Sequence, residues 1–157
     1  MNFRVIPIPG GISRETRETL MSPQYKGLKA DVSLATGYGP CRSCLHVFRQ
    51  GEDERIYFTY NSFDGLSALP DPGPIFIHKA ECERYERSDF PTDLRKLPLL
   101  LEGFGEESLL ITREKLDAKV AETQIEEIFL EKAVRFINLR NAEAGCFVAR
   151  IERHRQG

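Results

Sequence analysis

The sequence predicts an α+β fold: a mainly antiparallel β-sheet of six to eight strands with one principal helix at about 115–132. Three observations carry this. Strand-like runs recur along the whole chain, only one stretch has convincing helical periodicity, and the regular strand–helix alternation of parallel folds is missing. The chain has 157 residues, which fits one domain over 1–157 and is long enough to bury a core without disulfides.

In chain order, "FRVIPI" (3–8) alternates and carries β-branched residues, and "KADVSLA" (29–35) is a weaker strand candidate. "RIYFTY" (55–60) is aromatic and β-branched, and "PIFIH" (74–78) is a short apolar run. Between them "NSFDGLSALPDPGP" (61–74) reads as one long loop, because Pro and Gly oppose both helix and strand. "PLLLEGF" (98–104) and "SLLIT" (108–112) flank "GEE" and predict a hairpin. Leu116, Val120, Ile125, Ile128 and Phe129 approximate one apolar face of the helix, with Asp117 near its start. "VRFINLR" (134–140) and "CFVARIE" (146–152) predict a second hairpin, with Gly145 suited to a positive φ in its turn. "RETRET" (14–19) is read only as a local echo.

Composition excludes several classes. Hydrophobic residues make up 41% and charged residues 29%, with a formal net charge of -2, so no global field draws the chain to nucleic acid or anionic membrane. The opening "MNFRVIPIPGG" has too short an apolar stretch for a signal segment, and nowhere do 18 apolar residues run together. Four cysteines in such a chain are expected as thiols or metal ligands in a cytoplasmic protein. Arg135, Arg140, Arg150, Arg153 and Arg155 near the C-terminus have only Phe136 and Phe147 interleaved, too few stacking platforms for nucleic acid. The expected partner is a protein or a small molecule, of unassigned identity.

"GPCRSCL" (39–45), "FTYNSF", "GPIFIH", "CERY", "LPLLL" and "RNAEAGCFVARIER" together resemble a bacterial family catalogued as domain of unknown function 1203, from about Phe3 to Arg153. The most specific pieces are "PCR" (40–42), "GPIF" (73–76) and "NAEAGCF" (141–147). The resemblance implies a single domain in which these pieces cluster. It implies no activity and no catalytic residue.

The sharpest chemical expectation is a metal site. Cys41 and Cys44 form a Cys-x-x-Cys knuckle after Gly39 and Pro40, and His78 and Cys82 are spaced His-x-x-x-Cys. One helical turn after His78 would put positions 78 and 82 on one face, about 5 to 6 Å apart at Cβ. Together they make a Cys3His set, a closed structural type, and soft ligands point to zinc. The bland alternative is that these cysteines are small buried hydrophobes and His78 merely ends a strand.

Whether the chain is an enzyme stays open. "CRSC" as a redox dithiol would need a helix after it, and "LHVFRQGEDE" supplies a feeble one. A thiol nucleophile at Cys41 or Cys146 would need His78 as base, with Asn141 or backbone N–H groups around "EAG" as oxyanion donors. The plainer reading makes Cys146 buried and Asn141 turn-forming, with His46 and His154 at the surface. The favoured function is a small zinc-stabilised binding or accessory module; the alternative is an enzyme using such a thiol or an open metal site.

Overall fold

The computed structural model describes residues 2–37 and 39–154. Among these, the elements are β1 (Phe3–Ile6), α1 (Gly10–Thr19), β2 (Asp31–Leu34), β3 (Glu54–Asn61), β4 (Pro72–His78), β5 (Leu99–Phe104), β6 (Leu110–Lys115), α2 (Ala121–Leu130), β7 (Phe136–Asn141) and β8 (Phe147–Arg153). They build a five-stranded sheet in the order β1-β8-β7-β5-β6 and a three-stranded sheet in the order β2-β3-β4. Every strand pair is antiparallel, and the fold is α+β as the sequence predicts.

Both predicted hairpins form, β5–β6 and β7–β8, the second turning through Gly145 at φ 79°. The principal helix is shorter than expected, for a traceable reason. β6 keeps pairing as far as Lys115, opposite Leu100, so the segment that looked like the first helical turn is strand. A 3₁₀ turn at Ala118–Val120 follows, its Lys119 N donating to the Asp117 carboxylate at 3.0 Å, and only then does α2 begin. Ile125 and Ile128 are buried as the periodicity requires, while Val120 is exposed.

Helix α1 was not predicted. It opens on Pro-Gly-Gly and turns no apolar stripe to the core; its buried residues are Ser13 and Thr16. Their hydroxyls donate to Gly10 O at 3.2 Å and Ile12 O at 2.8 Å, which lets polar side chains be buried satisfied. The long loop also ends earlier than expected. Pro72 and Pro74 belong to β4, tolerated there because β4 is an edge strand.

The larger core lies between one face of the five-stranded sheet and α2, with Val5, Leu99, Leu101, Ile137, Leu139 and Ile151 packed against Ala121, Ile125 and Ile128. Gly103 permits the close approach: a Cβ there would stand 2.9 Å from a methyl of Thr112 and 3.4 Å from one of Ile128. The opposite face carries the register row Glu102, Asn138 and Arg150 under the 62–71 loop, where Phe63 packs on Phe104 and Phe136. The second core lies on the three-stranded sheet, where Ile56, Phe58, Ile75 and Ile77 meet Phe48, Cys41, Cys44 and Phe147. No helix among the described residues is long and apolar enough to cross a membrane.

Candidate metal centre

Cys41 and Cys44 occupy a tight hairpin turn whose flanks, Pro40 and Val47, pair across it. Cys41 N donates to His46 O at 2.9 Å, and Leu45 N donates back to Cys41 O at 2.8 Å. Leu45 takes the left-handed φ of 61°, closing the turn one residue after the second cysteine. Both thiols face inward, Cys41 fully buried and Cys44 5% exposed. No helix follows, so the geometry of a redox Cys-x-x-Cys at a helix start is absent here.

Arg42, between the cysteines, is itself buried and fastens the turn to the body of the protein. Its backbone N donates to Phe76 O at 3.0 Å, its Nε to Phe147 O at 2.8 Å and its Nη1 to Pro40 O at 2.9 Å. The three pieces "PCR", "GPIF" and "NAEAGCF" thus meet on one residue, Arg42, through its backbone N and its guanidinium. Loss of water around it lowers Arg42 to about 10.

His78 is the last residue of β4, and its backbone N donates to Cys41 Sγ at 3.3 Å. The helical turn expected after it is not there. The chain bends at 79–80 and runs on without regular structure, which still carries Cys82 back beside Cys41. The Sγ atoms of Cys41 and Cys82 are 3.8 Å apart, Cys44 Sγ is 3.5 Å from His78 Nδ1, and all four ligand atoms lie within 4.8 Å of one another. A tetrahedral zinc with ordinary bond lengths requires edges of roughly 3.8 Å between sulfurs and roughly 3.6 Å between sulfur and imidazole nitrogen. The Cys41–Cys82 and Cys44–His78 separations are close to those lengths.

Two residues that sequence reasoning missed surround the four. Asp53 Oδ2 lies 3.3 Å from His78 Nε2, the place from which a carboxylate orients a histidine so that its other nitrogen, Nδ1, can serve as a metal ligand. Asp53 is itself held by Arg49, through its backbone N at 2.8 Å and its Nη2 at 2.9 Å, and these bonds keep the carboxyl near 2. On the other side Arg17, from α1, donates Nε to His78 O at 3.0 Å and Nη2 to Cys82 Sγ at 3.2 Å. Asp53 had no spacing signal in "GEDER", and Arg17 was hidden because α1 was not recognised.

The electrostatics of the cluster are those of thiols that must share charge. Hydrogen bonds with Cys41 and Cys44, then His78 and the Arg17 cation, push the Cys82 thiol far below its ordinary range. The neighbouring Cys41 and Cys82 sulfurs push Cys44 up. Hydrogen bonding to Cys41 and Cys82, with Asp53 beyond, lifts the His78 imidazole to about 10. A divalent cation held by Cys41, Cys44, His78 and Cys82 would relieve the repulsion between neighbouring sulfurs.

Of the pairs read for thiol chemistry, Cys41 and His78 meet within the cluster and Cys146 lies outside it. Cys41 is closed off from solvent, and His78 is engaged by Cys44 and Asp53. Cys146 lines a separate cleft of about 240 Å³ with Tyr60, Asp71 and Arg140. The Asn141 side chain accepts from Glu143 N and Ala144 N and shapes the turn. Arg135, Arg140, Arg150 and Arg153 are drawn onto Glu106, Asp71, Ser62 O and Phe129 O, so they form no free basic stripe. Arg155 lies outside the described residues. His46 and His154 are exposed.

The family described as protein of unknown function (DUF1203) matches residues 38–153, the greater part of the chain. The protein belongs to this family. The four clustered residues, Arg42 and Asp53 all lie inside the DUF1203 segment, whereas β1, α1 and β2 precede it. No curated protein and no solved structure matches the chain.

Proposed function

We propose that this DUF1203 protein is a small binding or accessory module held together by one structural zinc ion on Cys41, Cys44, His78 and Cys82. The observation that carries the reading is the convergence of three sulfurs and one imidazole nitrogen within 4.8 Å, drawn from two distant segments. Packing alone gives cysteines no reason to meet a histidine whose far nitrogen is already seated on a carboxylate. With all four positions supplied by protein, the ion has no open site for substrate, and its work is to clasp the 39–47 turn to the end of β4. Recognition then falls to the surrounding surface, especially the 62–71 loop and the cleft formed by Tyr60, Asp71 and Arg140. Free thiols and soft ligands suit the reducing cytoplasm.

Protein purified without chelator is expected to carry one zinc per chain by metal analysis. Its thermal midpoint should drop when the zinc is removed and recover when zinc is restored. Folded protein with no bound metal, and with no uptake of zinc on reconstitution, refutes the reading.

A further inference from the structure

The four ligands are not equally protected. Cys41 and Cys44 lie under the turn, but Cys82 is half-buried and lines a groove of about 410 Å³. Arg14, Arg17, Lys79 and Arg84 border that groove against Glu18 and Glu81. Arg17 reaches Cys82 Sγ directly at 3.2 Å, so a cation stands where a departing oxygen would gather charge. Behind Cys82 the Cys41 sulfur stands at 3.8 Å, and the Cys44 sulfur lies 3.5 Å from His78 Nδ1. One sulfur is open to an incoming oxidant, and a second is buried within reach of the first.

We propose that Cys82 is the oxidation-sensitive edge of the cluster, and that hydrogen peroxide links it to Cys41 and thereby expels the metal. The proposal rests on the zinc reading above. The Cys82 thiolate attacks one peroxide oxygen, the O–O bond breaks, and hydroxide leaves, giving a sulfenic acid on Cys82. The Cys41 thiolate then attacks that sulfur, the S–O bond breaks, a second hydroxide leaves, and the S–S bond forms. Two sulfurs give up two electrons in all, and the O–O bond accepts them. Cys44 and His78 remain, too few ligands to retain zinc, so the ion departs. A thiol reductant with added zinc reverses the sequence.

The experiment uses the intact zinc-loaded protein and its Cys146→Ser variant, with metal content measured before any oxidant is added. Hydrogen peroxide is titrated in while a chromophoric chelator reports zinc, and peptides are then mapped without reduction. The expected result is loss of one zinc and two thiols per chain, a Cys41–Cys82 linked peptide, and the same course in the Cys146→Ser variant. Zinc retained at peroxide levels that oxidise Cys146 overturns the proposal while leaving the zinc reading intact, as does release with a Cys41–Cys44 link. Absence of metal before oxidant is added overturns the zinc reading and this proposal with it.

Discussion

The two sheets use the same kinds of residue and are closed by different means. The five-stranded sheet is roofed by α2, and its central strands bury Leu101, Ile137, Leu139 and Ile151 almost completely. The three-stranded sheet has a thinner cover. All four residues of β2 are exposed, α1 buries only Ser13 and Thr16, and the knuckle end is finished by Phe48, Cys41 and Cys44. An apolar layer closes the first sheet, and a ligand cluster with its hydrogen-bonded surround takes the place of part of that layer in the second. The first should therefore depend on packing volume, and the second on charge and coordination.

That contrast is open to direct attack. Leu139→Ala, in the larger core, is expected to cost about 2–5 kcal/mol in denaturant melts while leaving one zinc per folded chain. Loss of zinc stoichiometry in the folded fraction of that variant would show the two regions to be one unit. Arg42→Ala should cost about 2–3 kcal/mol, because it leaves buried carbonyls of Pro40 and Phe147 unanswered. Hydrogen exchange should then rise first in the 39–47 turn and β4, and only later in β7; simultaneous loss in both would contradict the division.

The smallest expected effect comes from the carboxylate behind the histidine. Asp53→Asn should weaken zinc binding about 10- to 100-fold without unfolding the protein, measured by competition with a chelator. It also carries a pH signature. Arg49 holds Asp53 near 2, below its unfolded value, so its contribution is complete above pH 4. That contribution is lost as the pH falls through 2. The stability gap between wild type and Asp53→Asn should therefore close on acidification across that window, and a gap constant with pH would exclude the role.

How much of this was legible in the sequence follows from how far each signal reaches. β5, β7 and β8 were visible because their residues alternate or run apolar over a full strand, and a strand's faces are set locally. The four clustered residues, Cys41, Cys44, His78 and Cys82, were visible as candidates because each pair is local and uses uncommon residue types. The route from His78 to Cys82 was misjudged: spacing fits a helical turn, but the observed chain reaches the same point by a bend. Helix α1 was illegible because its inward residues are Ser13 and Thr16, whose polarity is cancelled by back-bonding that no hydrophobic period reveals. With α1 went Arg17, and Asp53 was lost because a residue behind a ligand leaves no spacing of its own. The predicted start of α2 failed since Lys115 obeys its strand partner Leu100 over local propensity.

One pairing has a consequence for how the protein comes to be folded. β1 lies against β8, with Phe3 opposite Arg153, and His154 N donates to Asn2 O. Nearly the whole described chain separates these partners, and closing a loop of that length must be met before the contact gives anything back. Among the described strands, β1 is therefore synthesised first and its partner β8 last. During that interval Phe3 and Val5 have no strand to lie against, and the early chain is at its most vulnerable to unwanted association.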